Sequence, residues 1–338
     1  MKLPVRILLA LLCAAMVLSV PFVVSSPRLL EDAQWEIIDE IDSLNSDDDA
    51  AFLSWLIPAA SAEEKQYSLP VDTTPGMKPN PKLFTKDGYE DDSIRVQIET
   101  REGKKKNVIW RIAWVEIASP TQLRTAYVGK SVRADSTAYL TNIVPNYNAI
   151  VAMNGDNYSN EKAKHSFVVR MGEVRQKKLN KQKDILIIDE NGDFHTFINS
   201  EGADKFEKKT GHKIVNAFMF GPALVSEGKV VNVKRSYGYN FNPEGSQPRS
   251  AIGQLDKLSY VMVICDNTTG SDSVGVTHKE LAEFMKELGC KEAYNLDGGN
   301  SAIMIYNNKI VNNKKGGERD VTDFIYFATA VDPKEWKK

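Results

Sequence analysis

A chain of 338 residues, 42% hydrophobic and 26% charged, holds enough apolar material for one large domain and an appendage, which excludes a fibrous or wholly disordered protein. The formal net charge is −2 and the pI about 6.2, and the lysine runs at Lys104, Lys105, Lys106 and at Lys177, Lys178 are short, so the composition argues against nucleic acid as a partner.

The amino end carries Lys2 and Arg6, followed by 18 residues, 7–24, without a charge. That length sits at the lower limit for spanning a bilayer, so residues 1–26 read as a signal peptide or a membrane anchor. The small-residue cleavage site near residues 19–26 is poor, which favours an anchor that holds the amino end in the cytoplasm and the rest outside the cell membrane, with secretion as the alternative. Residues 27–57 hold nine acids against Arg28 alone, and residues 27–62 read as an acidic stalk. Residues 63–92 lack periodicity and are rich in Pro, Lys, Asp, Thr and Gly, the composition of a linker.

One domain is expected over residues 93–332. Residues 94–100 and 108–118 alternate as a hairpin, with Trp110 and Trp114 on one face. Further strands are expected at residues 150–153, 166–171, 184–189, 193–197, 223–225, 229–233, 304–306 and 309–311, two of these pairs being joined by Asn-Gly or Asn-Asn turns. Helices are few: residues 136–144, 201–209 and 278–288. The fold class is α+β, a large mixed β-sheet with few helices and one parallel βαβ crossover.

The crossover is the best-marked element. Residues 260–265 form a continuous apolar run ending at Asp266. Thr277 then stands three residues before Glu280 in capping-box spacing, and Leu281, Phe284, Met285 and Leu288 follow at helical intervals before Gly289. A second strand spans residues 292–296, and a parallel crossover brings Asp266 and Asp297 to one edge of the sheet, where ligands of open α/β sheets collect. Behind that strand, Asn295-Leu-Asp297-Gly298-Gly299-Asn300-Ser301-Ala302 crowds polar groups and two glycines into a turn. Asp-Gly between apolar runs is also a hairpin signal, so the turn has a structural as well as a ligand-binding reading.

Residues 275–289 followed by Asn-Leu-Asp-Gly-Gly resemble the signature of the phosphodiester glycosidase family. So do Arg249-Ser-Ala-Ile-Gly253, Phe220-Gly-Pro-Ala-Leu-Val-Ser-Glu-Gly228, Val151-Ala-Met-Asn-Gly-Asp156 and residues 114–128, in order across about residues 94–330. The resemblance implies an extracytoplasmic hydrolase acting on sugar 1-phosphodiesters, and with the predicted location a cell-envelope or exopolysaccharide glycan as substrate. Asn300 stands where the family usually has a third glycine, which keeps open a second reading, a surface-tethered domain that binds glycopolymer without cleaving it.

Cleavage between a sugar and a phosphodiester releases an anionic phosphate monoester, a leaving group that needs little protonation. The site then requires a carboxylate, for which Asp297, Asp156 and Asp266 are the candidates, a cation for the phosphate, and hydroxyl-binding groups for the sugar. Arg249 is the candidate cation through its place in the family motif, against the plainer reading of a loop salt bridge. Asn154, Asn295, Gly298, Gly299, Asn300 and Ser301 complete the substrate-binding set, and an Asx-turn remains the plainer role of Asp156. His165, His195, His212 and His278 are scattered without ligand spacing, and His278, in the first turn of a helix, is expected at the surface. No cofactor is required by this chemistry. A Ca²⁺ or Mg²⁺ held by Asp156, Asp266 and Asp297 stays open. Cys265 and Cys290, at opposite ends of parallel strands, are expected to be free thiols.

Overall fold

The computed structural model describes residues 76–104, 108–129, 136–157, 167–232, 244–267, 275–312 and 317–336. The predicted membrane segment, the acidic stalk and the first part of the linker lie outside these residues. Among the described residues no helix is long and apolar enough to cross a membrane.

In chain order the strands are β1 (Gly88–Glu90), β2 (Ile94–Glu102), β3 (Val108–Ile117), β4 (Leu123–Tyr127), β5 (Val151–Asn154) and β6 (Phe167–Arg170), then β7 (Glu173–Lys177), β8 (Ile185–Asp189), β9 (Phe194–Phe197), β10 (Ile214–Phe218), β11 (Ala223–Ser226) and β12 (Lys229–Val230). The last six are β13 (Arg249–Asp256), β14 (Ser259–Asn267), β15 (Glu292–Leu296), β16 (Met304–Tyr306), β17 (Lys309–Ile310) and β18 (Asp323–Phe327). Helices are α1 (Leu140–Ile143), α2 (Phe206–Thr210) and α3 (His278–Glu287). The strands form three sheets, ordered β1-β2-β3-β14-β13-β15-β11-β12, β7-β6-β10-β8-β9 and β17-β16-β5-β18-β4.

The three sheets share one core. Val96, Val115, Met262 and Tyr294 of the eight-stranded sheet, Leu186 and Phe218 of the second and Met153, Met304 and Phe327 of the third are all buried in it. Each sheet's other face is covered separately. Leu281 and Met285 of α3 and Leu288 at its C-cap pack on Val263, Ala251 and Ala293, and Phe284 stacks on Trp110 with ring centroids 4.0 Å apart. Leu140 lies against Phe324 and Tyr326, and Phe206 against Val169 and Ile187. The apolar stripe of α3 is the face its sequence periodicity predicts, and both halves of the Thr277–Glu280 capping box form.

The large sheet departs from the sequence expectation in one respect. β14 and β15 are not neighbours: β13 lies between them and is antiparallel to both, Ala251 standing opposite Val263 on one side and Asn295 on the other. Every ladder among the described residues is antiparallel, so the sheet is not mixed. The cause is the tight connection from Asp256 to Ser259, which folds β13 straight back on β14 and occupies the edge a parallel partner needs. Because both are antiparallel to β13, β14 and β15 still run in the same direction. Their carboxyl ends reach one edge two strand spacings apart, about 10 Å.

Two further expectations change. The domain begins before residue 93: the Asn80 side chain caps the turn Pro81–Leu83, β1 pairs with β2, and Met77 bridges Thr329, so the end of the predicted linker belongs to the fold. His278 is fully buried rather than exposed, and its Nε2 accepts from Arg249 Nη1 at 3.1 Å.

Cys265 lies opposite Arg249, whereas a Cβ on Gly253 would stand 2.5 Å from Cys290 Sγ, so the two thiols sit four residues of β13 apart. That is roughly 13 Å, about twice the reach of a disulfide. Both are free and buried, and burial pushes the Cys290 thiol up to about 12. Native protein exposed to an alkylating agent at pH 8 is expected to keep both unmodified, and unfolding to expose both; a cross-linked peptide under non-reducing conditions would contradict the β14-β13-β15 order.

Candidate functional site

The three sheets converge where β5 ends. Asn154, its last residue, is fully buried; its Oδ1 accepts from Ser250 Oγ at 3.0 Å and Ile303 N at 3.1 Å, and its Nδ2 donates to Asp297 O at 2.6 Å. Gly155 follows with no room for a side chain, since a Cβ there would lie 2.6 Å from Asp323 Oδ1. Gly155 N donates to Asp323 O, and Asp297 N to Gly155 O, both at 3.1 Å. Asn154 and Gly155 therefore bind the end of β15, the start of β18 and the end of β5 into one unit, and Asp156 emerges from it.

Asp156 is held by a buried cation. Arg170, at the end of β6, is 0% exposed; its Nη2 donates to Asp156 Oδ2 at 3.1 Å, its Nε to Asp323 Oδ2, and its Nη1 to the carbonyls of Val169 and Ala217. Its Cζ lies 3.9 Å from the centroid of the Phe218 ring. Met219 N and Phe220 N, just past β10, add hydrogen bonds of 3.0 and 3.1 Å to the Asp156 carboxylate. Burial pushes the Asp323 carboxyl above the usual carboxylate range against the pull of Arg170, with the charge of Asp156 adding to the rise. One guanidinium thus serves two buried carboxylates from two different strands.

Beside this cluster is a cavity of about 170 Å³ lined by Thr137, Asp156, Asn157, Asp297, Arg319, Asp320, Val321 and Thr322. Asp297 is its other buried carboxylate. Burial pushes it up to about 6, while the Ser301 hydroxyl, the charge of Arg319 and the Gly298 N–H pull the other way. A carboxyl poised near neutrality, next to an acid fixed by an arginine and two amides, is the arrangement proton-transfer chemistry requires.

Of the residues nominated from sequence, Asp156 and Asp297 line this cavity, and Asn154 supports it from behind. Asp266 does not reach it: it lies in β14, and its Oδ2 accepts from Arg111 Nε at 3.1 Å. A metal set of Asp156, Asp266 and Asp297 is therefore not assembled, and among the described residues no group of three His, Cys, Asp or Glu is arranged to hold a metal. Arg249 is likewise displaced from the phosphate role. It is 3% exposed and donates to Val276 O, His278 Nε2 and Gly245 O, neutral acceptors that tie β13 to α3, and burial lowers its guanidinium to about 10. Register explains the displacement: residues alternate across β13, so Ala251 and Arg249 face α3 while Ser250 faces Asn154.

The Asp-Gly-Gly turn is built for packing. Asn295 N and Nδ2 donate to the carbonyls of Pro222 and Gly221 at 3.0 and 2.7 Å. A Cβ on Gly298 would lie 2.8 Å from Pro248 O, which also accepts from Gly299 N. Asn300 is exposed and Ser301 buried. Gly298, Gly299 and Asn300 do not line the cavity, so Asn300 does not narrow it.

Sequence reasoning missed Arg170, Asp323, Arg319, Thr137, Asp320 and Thr322. For Arg170 a signal exists: a charge ending the apolar strand Phe-Val-Val-Arg, and Asp323 opens the equally apolar Asp-Phe-Ile-Tyr-Phe. A charge in a strand buried on both faces needs a partner, and the two strands hold each other's.

Removing one partner of a buried ion pair costs about 3–5 kcal/mol, so Arg170→Met is expected to lose that much in denaturant unfolding. Asp297 works in the opposite direction. Its folded pKa lies above the ordinary 3.8, so its stabilising contribution is complete below about pH 3.8 and is lost as pH rises through about 6. Asp297→Asn is therefore expected to raise stability by about 2–3 kcal/mol at pH 7.5 and to leave it unchanged at pH 3.5. Equal effects at the two pH values would remove the burial argument. Arg249→Lys is expected to cost about 1–3 kcal/mol through lost hydrogen bonds, without changing any affinity of the cavity.

Residues 147–328, more than half of the chain, match the sequence profile of the family described as phosphodiester glycosidase. A curated relative, the SPbeta prophage-derived uncharacterized protein YomE of Bacillus subtilis strain 168, is 32% identical over 111 residues; the aligned part is 32% of this chain and 17% of YomE, so the chain spans about a sixth of that protein. Among solved structures, the catalytic domain of zebrafish N-acetylglucosamine-1-phosphodiester alpha-N-acetylglucosaminidase, auto-inhibited by its pro-peptide, superposes with a TM-score of 0.54 at 14% identity, covering 75% of this chain and 87% of that one. A hypothetical protein from Synechocystis gives 0.52 at 15%, covering 70% of this chain and 62% of its own. At such identities the structures speak for the fold, and with the profile match over residues 147–328 the chain belongs to the phosphodiester glycosidase family.

Proposed function

We propose that this chain is an extracytoplasmic hydrolase that cleaves the glycosidic bond joining a sugar to a phosphodiester in a cell-envelope or exopolysaccharide glycan. The observation that carries the reading is the pair of buried carboxylates in one cavity, Asp297 raised to about 6 and Asp156 clamped by Arg170 and two backbone amides. Family membership supplies the bond type.

In this reading the sugar's anomeric carbon sits between the carboxylates. Its bond to the phosphate oxygen breaks, the electron pair leaves with the phosphate, and positive charge develops on the sugar. Asp156, unable to move, stabilises that charge. Asp297 accepts a proton from the incoming water, whose oxygen bonds to the carbon, and the products are a reducing sugar and a phosphate monoester. No acid is needed at the leaving group, which suits a site whose acids are committed elsewhere. The cavity of about 170 Å³ is smaller than the ~300–1,000 Å³ of pockets that engulf a whole ligand, as expected for a site that grips one linkage of a longer chain.

The uncharged segment 7–24 behind Lys2 and Arg6 supports attachment to the cell membrane with the domain outside; cleavage and secretion are the alternative. No cofactor enters this scheme.

The test is a panel of sugar 1-phosphodiesters, scoring free reducing sugar and phosphate monoester in equal amounts. The value of kcat/KM is expected to rise with pH through about 6 as Asp297 loses its proton, and Asp297→Asn to lower kcat by about 10²–10⁴-fold. Saturable binding of the whole panel without product would mark the chain as a glycopolymer-binding domain instead.

A further inference from the structure

With Arg249 turned into the α3 interface, the cavity needs another cation. We propose that Arg319 binds the phosphate of the substrate, held at the cavity mouth by a brace between residues 318–321 and 137–141. This assignment rests on the phosphodiester reading and extends it to a residue outside every motif that the sequence analysis singled out.

The brace is visible in its contacts. Ala138 and Val321 exchange both backbone hydrogen bonds, Ala138 N to Val321 O at 3.1 Å and Val321 N to Ala138 O at 2.9 Å. On either side of Arg319 the neighbouring acids are tied to the same segment. Glu318 accepts from Thr141 N at 3.1 Å and Thr141 Oγ1 at 2.6 Å, and Asp320 accepts from Thr137 Oγ1 at 2.8 Å. These bonds tie Glu318 and Asp320 to the facing segment, so the backbone on both sides of the guanidinium is fixed. Arg319 is itself exposed and lines the cavity with Asp156 and Asp297.

Charge supports the same assignment. Three of the eight lining residues are acids, Asp156, Asp297 and Asp320, and Arg319 is the one cation among the eight. A phosphodiester brought into that cavity is repelled by the three acids and attracted by Arg319. The acids suit the positive charge that develops on the sugar, and the arginine suits the negative charge that departs. A guanidinium also holds two phosphate oxygens in a planar fork, which an ammonium does not.

The test separates the anion site from the reaction. Inorganic phosphate is titrated calorimetrically into the full chain, and turnover is measured on the sugar 1-phosphodiester panel. Wild type is expected to bind phosphate, Arg319→Gln to weaken it at least about tenfold, Arg319→Lys to fall between, and Thr141→Val, which removes the hydroxyl bond to Glu318 and leaves the backbone one, to weaken it by about threefold. Arg249→Lys is expected to leave phosphate binding unchanged. On any substrate that turns over, Arg319→Gln should raise KM and lower kcat, with the pH limb moved upward from about 6 because the charge of Arg319 helps hold the Asp297 pKa down. Equal phosphate affinity in wild type and Arg319→Gln, or no phosphate binding by wild type, would overturn the assignment. Arg319-dependent phosphate binding without hydrolysis of any panel member would leave the assignment standing and overturn the hydrolase reading. Because Arg319 is exposed, its variants are expected to melt with wild type, which identifies any loss as a binding effect.

Discussion

The site depends on one buried positive charge. A guanidinium with no access to water is tolerated only where its N–H groups meet acceptors, and Arg170 meets two carboxylates, two carbonyls and the face of Phe218. Those partners come from β18, from the end of β5 and from β6 and β10, so satisfying this one residue fixes how the second sheet sits on the third. Asp156 cannot be moved without uncovering the charge, which is why its position is rigid. Asp323 does not line the cavity, yet it shares the guanidinium that holds Asp156.

The first sheet is attached by side-chain hydrogen bonds. Asn154 joins β5 to Ser250 of β13 and to the backbone of Asp297 after β15. Asp184 does the same elsewhere, accepting from the backbone N–H groups of Asn199 and Ala223 while its carbonyl accepts from the hydroxyl of Tyr294. Fully satisfied polar groups at sheet junctions specify a single arrangement, because any sliding of one sheet leaves a buried donor or acceptor unpaired. The apolar core tolerates small shifts far better than these junctions do.

Against that rigid background Asp297 is the costly residue. Its burial disfavours the charge that proton transfer needs, and Ser301, Gly298 and Arg319 offset the cost only in part. Fold stability and the proposed chemistry therefore place opposite demands on the same side chain. The tension is confined to one position because Asp156 beside it is matched by Arg170.

Local sequence determined what local physics controls. The capping box at Thr277 and Glu280, the stripe of α3 and the apolar runs of β14 and β15 are read from spacing alone, because helix caps and strand cores are set by residues within one or two turns of each other. Asp297 and Asp156 were legible because polar, glycine-bearing stretches at strand ends have few packing uses. Other features were decided by tertiary structure. Whether β14 meets β15 directly depends on β13, whose hairpin return competes for the same edge. The destination of Arg249 depends on which face of β13 odd-numbered residues take, and that is fixed by α3 and Asn154 on opposite sides. Arg319 belongs to a stretch with no periodicity and lines the cavity where Thr137 and Thr141 bond to its neighbours. The pairing of Arg170 with Asp156 and Asp323 spans 14 and 153 residues of sequence. Such a contact leaves no spacing to read, since it exists only where three sheets close on one charge.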